Sequence, residues 1–200
     1  VFFGFGPGSM SDEDKIRRAW RAAAGAITAL GCRAVLHTTP AFRHCIPTEE
    51  LPASAFVLDV PVGHEELFHH CSVAVHHGGP GTLAAALRAG IPSCVLSFVC
   101  DNPFWGDRLS RLNVGAHVPA SRATGAGLTT LLQGLRTPEV AEACRKMQKA
   151  MLAEENGTEK FVREVYARIP RAGPICVDWA AKASATPRAS PFSAVTLRNL

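Results

Sequence analysis

One stretch of the sequence decides the fold: residues 73–105, which read VAVHHGGPGTLAAALRAGIPSCVLSFVCDNPFW. This stretch reads as an apolar strand, a glycine-rich turn with histidine, a helix, a second buried strand and a polar turn. Gly78 and Gly79 let the backbone turn sharply and approach a ligand closely. Pro80 suits the first helical position, and Gly90 is typical of a helix end. The order strand–helix–strand predicts a parallel α/β unit.

The glycine-rich turn also predicts an anion site. The helix that begins at Pro80 follows directly after the end of the strand at residues 73–75. Its first N–H groups have no partner inside the helix, and the helix dipole places partial positive charge there. This arrangement attracts phosphate groups.

The rest of the chain alternates in the same way, and we predict a Rossmann-like, doubly wound parallel sheet covered by helices on both faces. Ser11 is expected to cap the first helix, which ends at Gly31, and Thr158 to cap the last one. The further predicted strands cover residues 1–5, 33–37, 55–60 and 116–119, and the further helices cover residues 65–70, 102–112, 128–135, 138–155 and 158–169.

Four turns of this predicted sheet lie at the carboxyl ends of strands, where such folds bind ligands. They are residues 6–9, 61–64, 77–82 and 101–102. We therefore expect one binding crevice that these turns share.

The motifs HHGGPGT, LRAGIP and DNPFW, in that order, resemble the donor-binding signature of GT-B glycosyltransferases that use UDP-sugars, and among these the sterol 3-β-glucosyltransferases most. The resemblance extends to Gly4-Phe5-Gly6 and to HEELF at residues 64–68. It covers about the first 170 residues.

The resemblance implies that residues 1–170 form a nucleotide-sugar binding domain, the C-terminal half of a GT-B fold. Residues 171–200 are rich in Pro, Ala, Ser and Arg, and we expect a disordered tail or linker there. The chain begins inside an apolar strand rather than with a signal peptide. The resemblance implies that an acceptor-binding domain is missing from this chain.

The same resemblance implies a diphosphate site. His77, Gly79, Gly81 and Thr82 would hold the UDP diphosphate, together with Gly6 and Ser9. Preorganised N–H and hydroxyl donors stabilise the negative charge that grows on a departing diphosphate. The alternative is a tight strand-to-helix turn without a ligand. The neighbouring His76 is expected to pack or bond locally.

Asp101 and Asn102 are the candidate sugar-binding residues, because a carboxylate and an amide can bond vicinal sugar hydroxyls. The family carries Asp-Gln here, and Asn102 is one methylene shorter. The alternative for Asn102 is a turn initiator before Pro103.

The resemblance places Val62 and His64 near the uracil. Relatives carry Pro where this chain has Gly63, which makes the loop more flexible. The alternative for His64 is a residue that merely begins a helix. A further departure is Pro7-Gly8, which looks like a two-residue insertion before Ser9.

A nicotinamide cofactor is not expected. Ser9 stands where a dinucleotide fingerprint has its third glycine, and residues 37–39 are His-Thr-Thr, without the acidic residue. The adjacent histidine pairs lack the i, i+4 spacing of zinc ligands, and no four-ligand set has zinc spacing. We therefore predict no metal site and no cofactor.

Composition narrows the partners. A net charge of +4 without a Lys/Arg run predicts no nucleic-acid partner. The sequence contains no run of about 18 apolar residues, so we predict no membrane span. Seven cysteines without a CxxC pair favour a reduced, cytoplasmic location, which is compatible with peripheral membrane association.

The activity implied by the resemblance is transfer of a hexose, glucose from UDP-glucose, to a lipid hydroxyl such as a sterol, with inversion and no obligatory metal. The general base would belong to the missing domain, so this chain alone would be inactive. The alternatives are a nucleotide-sugar-binding subunit or pseudo-enzyme with a separate acceptor subunit, and a transferase of the same fold with another small-molecule acceptor.

Overall fold

The computed structural model describes residues 1–5 and 12–169, and they contain a six-stranded sheet in which every paired strand is parallel to its neighbour. The strand order is β3-β2-β1-β4-β5-β6. The strands are β1 Phe2–Gly4, β2 Ala34–His37, β3 Ala55–Leu58, β4 Ala74–His76, β5 Ser93–Ser97 and β6 Gly115–Pro119. The predicted doubly wound α/β sheet is confirmed.

An α-helix follows each strand except β2, which two short 3₁₀ helices connect to β3. The α-helices are α1 Glu13–Leu30, α2 His64–Phe68, α3 Pro80–Ala89, α4 Asn102–Arg111, α5 Gly125–Gly134, α6 Pro138–Ala153 and α7 Gly157–Arg168, with short 3₁₀ helices at Pro40–Cys45, Thr48–Glu50 and Ala120–Arg122. None of the helices within the described ranges combines the length and the apolar character that a membrane crossing needs.

Two predicted helix caps are wrong. The cap of α1 is Asp12 rather than Ser11, and its carboxylate accepts the Lys15 N–H at 3.1 Å. The cap of α7 is Asn156 rather than Thr158, whose own N–H donates to Asn156 Oδ1 at 2.9 Å. In both cases a short Asp or Asn side chain reaches back to the first-turn N–H groups and fixes the helix start.

The core lies on both faces of the sheet because successive strand residues point to opposite sides. Phe3 belongs to the larger core cluster, with Trp20 of α1 and Leu128 of α5. Phe2, its neighbour in β1, packs in a second cluster with Phe68 of α2. The sheet is therefore covered on both faces, as parallel sheets require.

The strand order reverses direction between β1 and β4. The chain runs outward from β1 through β2 to β3, then returns to pair β4 with the other edge of β1. Ligands of doubly wound folds bind at such a switch point.

The chain divides into two compact units, Val1–Glu154 and Glu155–Leu200. The sheet and α1–α6 belong to the first unit. In the second, the described residues end at Ile169, and an ion pair joins Glu155 to Arg163. The predicted domain end at residue 170 and the predicted tail at residues 171–200 stay predictions, since residues 170–200 lie outside the described ranges.

Candidate functional site

A cavity of about 220 Å³ opens at the switch point. It lies at the carboxyl ends of β1 and β2, beside the first turns of α2 and α3. It is lined by Phe2, Gly4, Phe5, His37, Thr38, Thr39, His64, His77 and Thr82. The cavity thus brings together three of the predicted ligand-binding side chains, those of His64, His77 and Thr82.

The turn from β4 into α3 depends on glycine. Gly78 has a φ of 97°, in the left-handed region, and a Cβ there would lie 3.0 Å from the Val95 side chain. A Cβ on Gly79 would collide with Nε2 of His77. The peptide turns tightly here because neither position carries a side chain.

The N-terminus of α3 has no side-chain cap. Gly79 occupies the cap position and Pro80 begins the helix, and no side chain of residues 1–5 or 12–169 caps the first-turn N–H groups. Gly81 is exposed, and no described atom lies within 4 Å of where its Cβ would be. Among the described residues, therefore, the first N–H groups of α3 have no side-chain partner and Gly81 borders open space.

His77 lies between the ends of β1 and β5. A hydrogen bond to the Gly4 backbone and the nearby charge of Asp101 favour its protonated form, but burial outweighs both and lowers the pKa of the ring. A neutral imidazole carries one N–H, which the bond to Gly4 uses, and its other nitrogen becomes a donor only when the ring is protonated.

His76 bonds locally, as expected. It is fully buried, and its Nδ1 accepts the Gly78 N–H at 3.1 Å. Nδ1 therefore carries the lone pair, and the proton of the neutral ring is on Nε2. Burial lowers the pKa of His76 to about 3.

His37 and His64 form a pair in the cavity wall that the sequence did not reveal. His37 Nε2 lies 3.2 Å from the Val60 carbonyl oxygen, so this nitrogen donates. His37 Nδ1 then accepts from His64 Nε2 at 3.5 Å. Burial lowers the pKa of both rings.

The uracil-proximal candidates separate in the structure. His64 lines the cavity and is also the first residue of α2, and its contact with a uracil stays a prediction. Val62 is not part of that lining and is half-buried in the preceding loop. Its contact with a nucleobase stays a prediction.

Asp101 and Asn102 lie at the start of α4, and their side chains are already engaged. Asp101 is exposed and its Oδ2 accepts from Trp105 Nε1 at 2.8 Å. Asn102 is buried, and its Oδ1 accepts the N–H groups of Phe98 and Val99 at 3.4 and 3.2 Å. Contact between Asn102 and a sugar stays a prediction. Such a contact would involve the amide nitrogen of Asn102, because its carbonyl oxygen already bonds the loop between β5 and α4.

A second polar network anchors α4 to the sheet. His117 on β6 lies 2.8 Å from Asp107 of α4 through Nδ1 and 2.9 Å from Ser97 of β5 through Nε2. This is the hydrogen-bond order of a hydrolytic triad. However, the N–H groups that follow Ser97 are occupied by Asn102, and Ser97 is buried. The network therefore positions α4 rather than activating a nucleophile.

Gly6 and Ser9 lie outside the described residues, in the segment that connects β1 to Asp12. Their predicted contact with a diphosphate stays a prediction.

Comparison with known proteins agrees with this architecture. The family model "Erythromycin biosynthesis protein CIII-like, C-terminal domain" matches residues 25–166. The chain is 34% identical over 123 residues to a sterol 3-beta-glucosyltransferase of Arabidopsis thaliana, and 35% identical over 154 residues to an uncharacterized glycosyltransferase of Mycobacterium tuberculosis. These alignments cover 60% and 76% of this chain but only 20% and 35% of the relatives.

Solved structures show the same fold. A spinosyn rhamnosyltransferase superposes with a TM-score of 0.71 at 23% identity, over 83% of this chain and 44% of that one. A UDP-glucose:anthocyanidin 3-O-glucosyltransferase, solved in complex with UDP, superposes with a TM-score of 0.68 at 17% identity, over 82% and 39%. The predicted GT-B fold class is confirmed.

The family match covers most of the sheet and the whole turn from β4 into α3. The chain therefore belongs to the family of erythromycin biosynthesis protein CIII-like C-terminal domains, which are C-terminal domains of GT-B glycosyltransferases.

Proposed function

We propose that this chain is the donor-binding domain of a UDP-glycosyltransferase and that it holds the UDP diphosphate at the N-terminus of α3. The observation that carries the proposal is the uncapped start of α3, which borders the cavity at the β1–β4 switch point. A helix start of this kind is suited to phosphate.

The residues around the turn have complementary parts in this proposal. His77 is protonated when the diphosphate charge lies beside it and then donates its second ring N–H, because the first is bonded to the Gly4 backbone. Gly79 and Gly81 allow close backbone approach, and Thr82 offers a hydroxyl. Gly6 and Ser9 complete the site from the loop after β1. Because these donors are fixed before the glycosidic bond breaks, they stabilise the growing charge on the leaving diphosphate without reorganising.

The nucleoside part of the donor is assigned to the cavity beside this turn. The buried rings of Phe2 and Phe5 lie beneath it as an apolar floor, while the partly exposed Thr39 and His64 provide hydrogen-bonding groups. Val62 is assigned to the outer edge, next to the uracil.

The sugar is assigned to the start of α4. His77 follows β4 and Asp101 follows β5, the neighbouring strand, and we therefore assign the two side chains to neighbouring parts of one donor. Asp101 is the main proposed sugar ligand, and Asn102 contributes through its amide nitrogen.

We propose the reaction as transfer of a hexose, glucose from UDP-glucose, to a lipid hydroxyl such as that of a sterol. The acceptor oxygen attacks the anomeric carbon as the bond to UDP breaks, which inverts that carbon. A general base on a separate acceptor-binding domain takes the hydroxyl proton. The similarity to a plant sterol 3-beta-glucosyltransferase supports the acceptor class.

We further propose that this chemistry needs no cofactor and no obligatory metal, since helix N–H groups and His77 supply the charge stabilisation. The protein would act in the cytoplasm, and a lipid acceptor would bring it to a membrane surface.

Two observations favour other functions. The family model is named for an antibiotic biosynthesis protein, and a spinosyn rhamnosyltransferase shares the fold, which favours another small-molecule acceptor. The engaged Asn102 carbonyl oxygen favours a nucleotide-sugar-binding subunit or pseudo-enzyme that works with a separate acceptor subunit.

The chain is expected to bind UDP on its own, because the proposed diphosphate turn lies wholly within it. Isothermal titration calorimetry on the 200-residue chain should give saturable binding, with UDP and UDP-glucose of similar affinity. Gly81→Ala, which meets no described atom, should keep the fold and weaken UDP binding by crowding the phosphate. A folded chain that does not bind UDP would overturn the proposed function.

Replacing His77 is expected to weaken UDP binding while the fold persists. His77→Ala removes one hydrogen bond to a charged group, which costs about 1.5–3 kcal/mol of binding free energy. Calorimetry measures the affinity and thermal melting checks the fold. The matched control is His70→Ala, an exposed histidine outside the cavity lining, which should change neither. Unchanged affinity in His77→Ala would remove His77 from the site.

A further inference from the structure

Three metal-ligating side chains meet away from the cavity lining. Glu13 is the first residue of α1, and His44 and Cys45 end the 3₁₀ helix that follows β2. One ligand atom from each lies within 4.8 Å of the other two. Glu13 and His44 are far apart in the sequence, so only the fold brings these side chains together.

The spacing of the ligand atoms fits a tetrahedral cation. His44 Nε2 lies 3.5 Å from Glu13 Oε1 and 3.5 Å from Cys45 Sγ. Ligand atoms bound to Zn²⁺ at about 2.0–2.3 Å with tetrahedral angles are about 3.3–3.7 Å apart. Both measured separations fall in this range.

Hydrogen bonding alone does not account for both polar contacts of His44 Nε2. Nε2 carries either one N–H or one lone pair, and it can therefore serve one partner. It faces two, a carboxylate oxygen and a thiol sulfur, each at 3.5 Å. A cation among the three atoms satisfies all of them at once.

Neighbouring groups hold two of the ligands in place. Arg17 donates to the other carboxylate oxygen of Glu13 and to the main-chain carbonyl of His44, both at 3.3 Å. Phe42 stacks against the His44 ring. Such supporting contacts are typical of metal sites, because they fix the orientation of the ligands.

We propose that Glu13, His44 and Cys45 bind a divalent cation of the zinc class, with solvent as the fourth ligand. A thiolate, an imidazole and one carboxylate are ligands that Zn²⁺ accepts. The side chains of Glu13 and His44 are about half exposed, which leaves the fourth position open to water.

This site is separate from the proposed diphosphate turn, but it acts on the segments beside the cavity. The 3₁₀ helix begins directly after Thr39, a lining residue, and α1 begins just after the segment that follows β1. A cation bound here links the start of α1 to the end of this 3₁₀ helix.

Cobalt is the probe for this site, because a thiolate ligand gives Co²⁺ a near-ultraviolet charge-transfer band and tetrahedral ligation gives strong visible bands. The full 200-residue chain, reduced and metal-free, should show both bands at one equivalent of Co²⁺, and Zn²⁺ should displace them. Cys45→Ser should lose the charge-transfer band. The matched control Cys100→Ser, an exposed cysteine elsewhere, should keep it.

His44→Gln provides a second test that does not depend on a buried residue. His44 is exposed, so the variant should fold, and its Co²⁺ affinity should fall by about tenfold or more. Zn²⁺ should raise the melting temperature of the wild-type chain but not that of His44→Gln. Absence of the charge-transfer band in the wild type, or its persistence in Cys45→Ser, would overturn the proposal.

Discussion

Sugar transfer by this 200-residue chain alone is expected to be undetectable, and it should appear once an acceptor-binding domain is joined before Val1. A proton must leave the acceptor hydroxyl, and its base must lie within hydrogen-bond reach of that oxygen. Every residue assigned to the proposed transferase site serves the donor. Loss of general-base catalysis costs about 10²–10⁴-fold in rate, and loss of the acceptor site adds to this.

The measurement is transfer of radiolabelled glucose from UDP-glucose to a sterol, with the chain alone and the joined protein compared side by side. Chelators should leave the joined protein active, because the proposed cation site at Glu13, His44 and Cys45 is separate from the reacting atoms. Robust transfer by the chain alone would show that the base is within it, and His64 would be tested first. Transfer only to acceptors other than sterols would remove the sterol proposal and keep the donor-binding one.

Acid is expected to destabilise the fold through His76. The pKa of this buried ring is about 3 in the folded chain, below its ordinary value of 6.5. The unfolded chain therefore takes up a proton that the folded chain does not, and stability is lost as the pH falls from 6.5 towards 3. Between pH 7 and pH 5 the free energy of unfolding should decrease by about 2 kcal/mol from His76 alone. His37, His64 and His77 act in the same direction.

Urea unfolding at a series of pH values measures this effect. His76→Asn is the informative variant, because its Oδ1 takes the place of Nδ1 as acceptor for the Gly78 N–H but does not titrate. Between pH 7 and pH 5 the free energy of unfolding of this variant should decrease less than that of the wild type, by the share of about 2 kcal/mol assigned to His76. An equal loss of stability in both proteins would show that other groups cause the acid sensitivity.

Local patterns predicted the architecture well because strands and helices are encoded by neighbouring residues. The apolar run before His76, the pair Gly78-Gly79 and Gly90 after α3 define one strand–turn–helix unit without reference to the rest of the chain. The parallel pairing of β4 and β5 follows, because α3 connects them and returns the chain to the same end of the sheet. Helix caps were harder, since Asp12 and Asn156 lie one or two residues from equally suitable Ser and Thr side chains.

Contacts between distant segments could not be predicted in this way. His37 and His64 are 27 residues apart and meet because β2 ends beside the start of α2. Glu13 and His44 are likewise joined only by the fold, so no ligand spacing appears in the sequence. The sequence also does not show which rotamer Asn102 adopts. In the structure its carbonyl oxygen accepts from the backbone at Phe98 and Val99.

The cavity straddles the junction between β1 and β4, and its two walls come from different halves of the chain. Residues 37–39 belong to the half before the junction, whereas residues 77–82 belong to the half after it. Selection can therefore alter one wall without rebuilding the other. If the proposed donor assignment holds, a few exchanges after β2 change the nucleobase preference while the turn before α3 persists. Donor choice in such a domain can evolve in separate steps.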